Sequence, residues 1–160
     1  MMRPRKILQN AAVMASAMLW SASAQAADEI LLSITTGSTE EAYTFNDLRA
    51  LPVSVIETST IWTEGPQRFV GVSLHDFMAA RGTVEGTIRA TAINDYSVEI
   101  PVSDAIQGGP IIAYERNSEE MSRRGKGPLW IVYPYDSDPK FQTETYFSRS
   151  IWQLDRLTIE

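Results

Sequence analysis

The sequence predicts an α+β domain built on a mixed sheet, and three observations carry that expectation. Short apolar segments with strand-like character recur along the chain. Between them lie two brief stretches whose apolar residues share one helical stripe behind a capping side chain. No repeat, low-complexity tract or linker interrupts the series, so the elements belong to one core. A length of 160 residues, with 44% hydrophobic and 21% charged, suits a single domain once a targeting segment is set aside.

The elements follow in order. Glu29 to Thr35 reads as a strand through Ile30, Leu31, Leu32 and Ile34, and Gly37-Ser38-Thr39 as the turn after it. Thr44 with Asp47 three residues on forms a capping-box pattern. Phe45, Leu48 and Leu51 then give the helix its buried stripe, and Pro52 ends it. Val53 to Ile56 alternates as a strand, and Thr58-Ser59-Thr60 leads past Trp62 into a Glu64-Gly65-Pro66 turn. Ser73 caps a second helix with Asp76 in its first turn, Leu74, Phe77 and Met78 inward, and Gly82 as the stop.

Thr87 to Ile93 and Tyr96 to Ile100 are two strands of a hairpin, because Asn94-Asp95 tolerates the left-handed backbone that a tight turn needs. Ser103 to Ile106 supplies one helical turn. Pro110 to Tyr114 and Leu129 to Tyr133 are strands, the latter followed by Pro134 and a polar loop. Ile151, Leu154, Leu157 and Ile159 mark a terminal strand.

The N-terminus carries Arg3, Arg5 and Lys6 before a run of Ala, Met, Leu and Ser, and Ala24-Gln25-Ala26 has the small-x-small form of a signal-peptidase site. Residues 1–26 are therefore expected to be a signal peptide, 27–42 an N-terminal strand and turn, and 43–160 the main domain. Arg3 and Arg5 are not adjacent, so no twin-arginine signal is present and export as an unfolded chain is expected. The mature protein would be periplasmic or secreted. Beyond the extreme N-terminus no apolar run approaches the ~20 residues of a spanning helix, so no membrane span is expected in the mature chain.

Loss of those three cations deepens the net charge from −6 to −9. Such a surface repels phosphate backbones and anionic lipid, which argues against nucleic-acid partners. The absence of cysteine removes disulfides, thiol nucleophiles and thiolate-ligated metals together.

Few residues are placed to carry chemistry. His75 is the sole histidine and reads as a half-exposed helix residue, since a general base needs an orienting partner and a reactant. The acids Asp95, Glu99, Asp104 and Glu115 are scattered near strand ends. Asp136 and Asp138 lack the glycine and terminal acid of a calcium loop and read as a solvated turn. One stretch departs from the acidic background: Arg116, Arg123, Arg124 and Lys126, the last three leading into glycines and Pro128. These cations either hold a phosphate, sulfo or carboxylate group or pair with Glu115, Glu119 and Glu120 along a surface turn. Late aromatics are mostly expected in the core, with Tyr133, Tyr135 and Tyr146 as candidates to line a cleft beside the cationic loop.

Three phrases in order resemble the molybdopterin-binding domain of the sulfite-oxidase family: Phe69-Val70-Gly71-Val72-Ser73-Leu74-His75-Asp76-Phe77, then Ala92 to Pro101, then Gly127-Pro128-Leu129-Trp130-Ile131-Val132-Tyr133-Pro134. The resemblance covers roughly 43–160 and implies a mixed-sheet α+β fold of that type. Full members bind molybdenum through one cysteine thiolate, which would fall within Thr58 to Trp62; here the only candidates there are oxygen ligands from Ser59 or Thr60. For the pterin phosphate, only the loop of Arg123, Arg124 and Lys126 offers itself. The expectation is an exported, non-catalytic binding module with no cofactor. It would recognise a small anion or an envelope protein, such as a sensor or redox partner, through Arg123, Arg124, Lys126, Trp62, Tyr133 and Tyr135. The alternatives are a molybdopterin-dependent oxidoreductase with unusual metal ligation and an envelope assembly factor.

Overall fold

Ten strands and three short helices are set by the alternation and capping of the sequence, in a computed structural model that describes residues 29–160. The expected signal peptide lies outside the described residues. Strands β1 (Ile30–Thr36) and β2 (Thr39–Thr44) form a hairpin across Gly37, whose φ of +59° supplies the left-handed turn. Helix α1 (Phe45–Arg49) follows at once. Its capping box is complete: Asp47 N–H donates to Thr44 Oγ1, and Thr44 N–H donates to the Asp47 carboxylate at 2.9 Å.

β3 (Val53–Ser59) and β4 (Pro66–Ser73) pair antiparallel, and α2 (Leu74–Ala79) begins where Ser73 Oγ accepts from Asp76 N–H. The hairpin of β5 (Thr87–Ala92) and β6 (Ser97–Pro101) turns with Asp95 at φ +66°. β7 (Ile111–Arg116), the two-residue β8 (Glu119–Glu120) and β9 (Trp130–Val132) come next. They are followed by two 3-10 turns, α3 (Glu144–Arg149) and β10 (Leu154–Ile159).

Two five-stranded sheets result. The first has the order β2-β1-β10-β5-β6, and β1 runs parallel to β10 while every other pair is antiparallel. The second has β3-β4-β7-β8, with β9 also on β7. Both feed one hydrophobic cluster, in which Leu32, Ile34, Ile88, Leu154 and Leu157 of the first sheet join Phe69, Val72, Ile112, Trp130 and Ile131 of the second. The architecture is thus a strand-rich α+β single domain with one mixed sheet, as the sequence predicts.

Four of these strands and helices were not predicted: the two-residue β8 and three longer elements. β2 has Glu40 and Glu41 in place of an apolar alternation, which an edge strand tolerates because one side meets water. β4 is a continuous apolar run, Phe69 to Val72, buried between β3 and β7 and lacking period-two contrast. α3 has no fully buried residue and no side-chain cap, so neither stripe nor capping signal marks it. Among the described residues no helix is long and apolar enough to cross a membrane.

Candidate functional site

The loop between β3 and β4 carries Trp62, and four aromatic rings gather on it. Its ring stands 5.8 Å from Trp130, 5.8 Å from Phe147 and 5.5 Å from Trp152, each near-perpendicular, and 6.3 Å from Tyr135. Trp152 is held there by a bridge to Trp130 that joins the start of β9 to the segment before β10. Lys126 fixes it further, with its ammonium 3.8 Å from the centre of the Trp152 ring. Burial, and then the nearby Arg116, depress the Lys126 pKa.

This cluster borders a solvent-open cavity of about 300 Å³, lined by Trp62, Ala92, Asn94, Tyr96, Phe147, Ser148, Ser150, Ile151, Trp152 and Gln153. Its walls come from three places in the sequence: the β3–β4 loop, the β5–β6 hairpin, and α3 with the segment into β10. Ser150 organises the back of the site. It is 2% exposed, donates to Tyr146 O at 2.7 Å, accepts from Tyr135 Oη at 2.5 Å, and its carbonyl accepts from Trp130 Nε1 at 3.2 Å.

Of the six residues expected to contact a ligand, Trp62 alone lines this cavity. Tyr133 is fully buried and donates its hydroxyl to Asp104 at 2.8 Å, and Tyr135 is 1% exposed with its hydroxyl on Ser150. Tyr133 is therefore core and presents no cleft wall, and Tyr135 only borders a second depression near Ser59. Arg123 donates to Glu29 at 2.7 Å and lines a separate cavity, Lys126 leans on Trp152, and Arg124 is exposed. The three cations have different engagements. Nor do they pair with Glu115, which is held by Arg49. Sequence reasoning left out the other nine lining residues; of these, Phe147 and Trp152 carried a visible signal in their place within the late aromatic group.

The two tyrosines make alkaline pH informative. Burial, reinforced by the Asp104 carboxylate, pushes the Tyr133 phenol far above its ordinary 10.0, and burial pushes Tyr135 up to about 12. The unfolded chain releases both protons near pH 10 while the folded chain keeps them. Stability is therefore intact below pH 10 and falls as pH rises, by roughly 1.4 kcal/mol per pH unit per tyrosine, with the Tyr135 share spent by about pH 12. Tyr135→Phe is expected to make the alkaline limb of urea midpoints shallower between those values. Equal slopes in parent and variant would contradict the assignment.

The segment where the resemblance places the metal ligand is held by hydrogen bonds to Asp136 and within its own loop. Thr58 is 1% exposed, and its Oγ1 accepts from Asp136 N–H at 3.0 Å, while Ser59 N–H donates to Asp136 Oδ2 at 2.6 Å. Thr60 Oγ1 accepts from Trp62 N–H and shares a 2.7 Å contact with Thr63 Oγ1. Asp136 is consequently a reciprocal clip on β3 and not merely a solvated turn residue. The adjacent depression of about 310 Å³, between Ser59, Thr60, Ile61, Asp136 and Phe147, presents hydroxyls and a carboxylate. That donor set does not fit a soft metal–dithiolene centre with an anionic phosphate tail: the thiolate is missing and Asp136 opposes negative charge. Among the described residues no three metal-binding side chains converge. His75 Nδ1 lies 2.9 Å from Asp76 Oδ1 on the exposed side of α2, away from every cavity wall described above.

Comparisons with protein-family models and with curated proteins give no match. Among solved structures, the chain is similar to the sulfane dehydrogenase SoxCD from Paracoccus pantotrophus, with a TM-score of 0.58 and 17% identity over 80% of this chain. The match spans 37% of that longer chain. At this identity the likeness is one of fold: the chain has a distant fold relationship to that protein.

Proposed function

We propose that the protein is an exported, non-catalytic binding module on a molybdopterin-oxidoreductase-like fold, and that it recognises its ligand through the cavity walled by Trp62, Tyr96, Phe147 and Trp152. The observation that carries this reading is the aromatic cavity itself. Trp152 and Tyr96 remain 36% and 58% exposed beside it although both are large aromatic side chains, which is the composition of a recognition surface. The hydrogen-bonded Thr58 and Thr60 hydroxyls and the dispersed Arg123, Arg124 and Lys126 support the same reading, because among the described residues they form neither a metal-ligand cluster nor a shared cationic cradle. An envelope protein is a partner of the right kind if it inserts one apolar or aromatic anchor.

The test uses the natively exported protein with benzyl alcohol as a neutral, ring-sized probe. Its titration is expected to move the indole N–H resonances of Trp62 and Trp152 in a saturable way, and to do so without stoichiometric molybdenum in elemental analysis. An unperturbed spectrum removes the cavity from the function. One molybdenum per chain would favour the oxidoreductase reading, to which the SoxCD-like fold gives its only support.

A further inference from the structure

We infer that the aromatic cavity is a saccharide subsite that seats one neutral pyranose ring; this rests on the binding reading above and names its ligand class. Ring geometry is the first argument. Trp62 meets Trp152 at 72° and Phe147 at 84°, so the aromatic walls form a corner and not a parallel slot. A flat heteroaromatic ring gains most between two parallel faces, and here it can stack on only one. A chair-shaped ring carries C–H bonds on its faces and around its edge, and these partial positive hydrogens suit the negative faces of two rings set at right angles.

Charge is the second argument. None of the ten lining residues is Asp, Glu, Lys or Arg, and Lys126 supports Trp152 without itself lining the cavity. A net charge of −6 further repels anions. The site therefore selects an uncharged ligand, in contrast to the anion expected from the cationic loop.

The rim is the third. Asn94 accepts from Tyr96 N–H through Oδ1, leaving its amide N–H pair without a protein partner among the described residues. Gln153 donates to Arg123 O through Nε2 and keeps Oε1 as an acceptor, and the Tyr96 hydroxyl is likewise unpartnered. The lining thus offers free donors and acceptors beside aromatic walls, which suits sugar hydroxyls, since each is both donor and acceptor. A cavity of about 300 Å³ accommodates one ring-sized unit with the rest of a chain in solvent.

The experiment titrates the full mature protein with the methyl glycosides of cellobiose, maltose, mannobiose and chitobiose, following the Trp62 and Trp152 indole resonances. At least one glycoside is expected to bind. Trp152→Ala should weaken it tenfold or more, Trp152→Phe should recover much of the loss by restoring a stacking face, and methyl glucuronide should bind more weakly than methyl glucoside. Circular dichroism checks that the variants fold. If no glycoside binds at ~10 mM while benzyl alcohol still moves both resonances, the saccharide inference is overturned and the binding reading stands. If neither probe acts, both fall. Glycoside binding that is indifferent to Trp152→Ala in a folded variant also overturns the inference, because the ligand then sits elsewhere.

Discussion

Gly71→Ala is expected to cost the protein most of its stability. Gly71 lies in β4 between β3 and β7, opposite Ser54 on one side and Ala113 on the other, next to a register shift in the β4–β7 ladder. A Cβ built there would stand 2.1 Å from Ile112 O and 2.6 Å from Ala113 Cα. Both are backbone atoms of a central strand, so no side-chain rotation relieves the overlap and the two strands must part. Ordinary overpacking costs about 1–3 kcal/mol, and rupture of a central ladder adds lost hydrogen bonds and exposed Phe69 and Val72. Set against a total of about 5–15 kcal/mol, the variant is expected to be largely unfolded or insoluble at 37 °C. Urea unfolding checks this, and a free energy within ~1 kcal/mol of the parent would show that the β4–β7 approach is looser than described.

The second large effect is expected at Asp104, in the 3-10 turn Val102–Asp104. Its carboxylate is 8% exposed, and one oxygen accepts from Tyr133 Oη and from Arg149 Nη1, both at 2.8 Å. Asp104→Ala leaves a mostly buried guanidinium without its counter-charge and a fully buried phenol without an acceptor. Breaking a buried pair in this way costs about 3–5 kcal/mol. The pair also ties that turn to α3, which contributes Phe147 and Ser148 to the cavity wall. Benzyl alcohol binding is therefore expected to weaken in any fraction that still folds. Asp104→Asn, which keeps an acceptor and drops the charge, should fall between parent and alanine. Thermal melts order the three proteins, and an alanine variant as stable as the parent would refute the role given to the pair.

Local chemistry made much of the fold legible. Thr44 with Asp47, Ser73 with Asp76, and Asn94-Asp95 specify their caps and turn within a few residues, and the structure realises each of them. Pairing between distant strands leaves no such mark, which is why β4 was hidden in an apolar run and β2 behind two glutamates. The site follows the same division. Trp62 was recognisable as the one aromatic in the loop between β3 and β4. Tyr133 and Tyr135 were misplaced because a tyrosine tip reads as a surface feature until its partner is known. Here the partners, Asp104 and Ser150, lie 29 and 15 positions away and are brought to the hydroxyls only by folding. Trp152 owes its position to the bridge with Trp130, again a tertiary event.

The parallel pairing of β1 with β10 has a consequence for how the first sheet is assembled. β1–β2 and β5–β6 each emerge early as two-stranded ribbons, which are marginal by themselves. The strand that zips them together is β10, seated between β1 and β5 and the last of the described strands. The first sheet therefore stays as two unjoined ribbons until β10 takes its place, and any chain cut short before Leu154 exposes two naked sheet margins to aggregation or proteolysis.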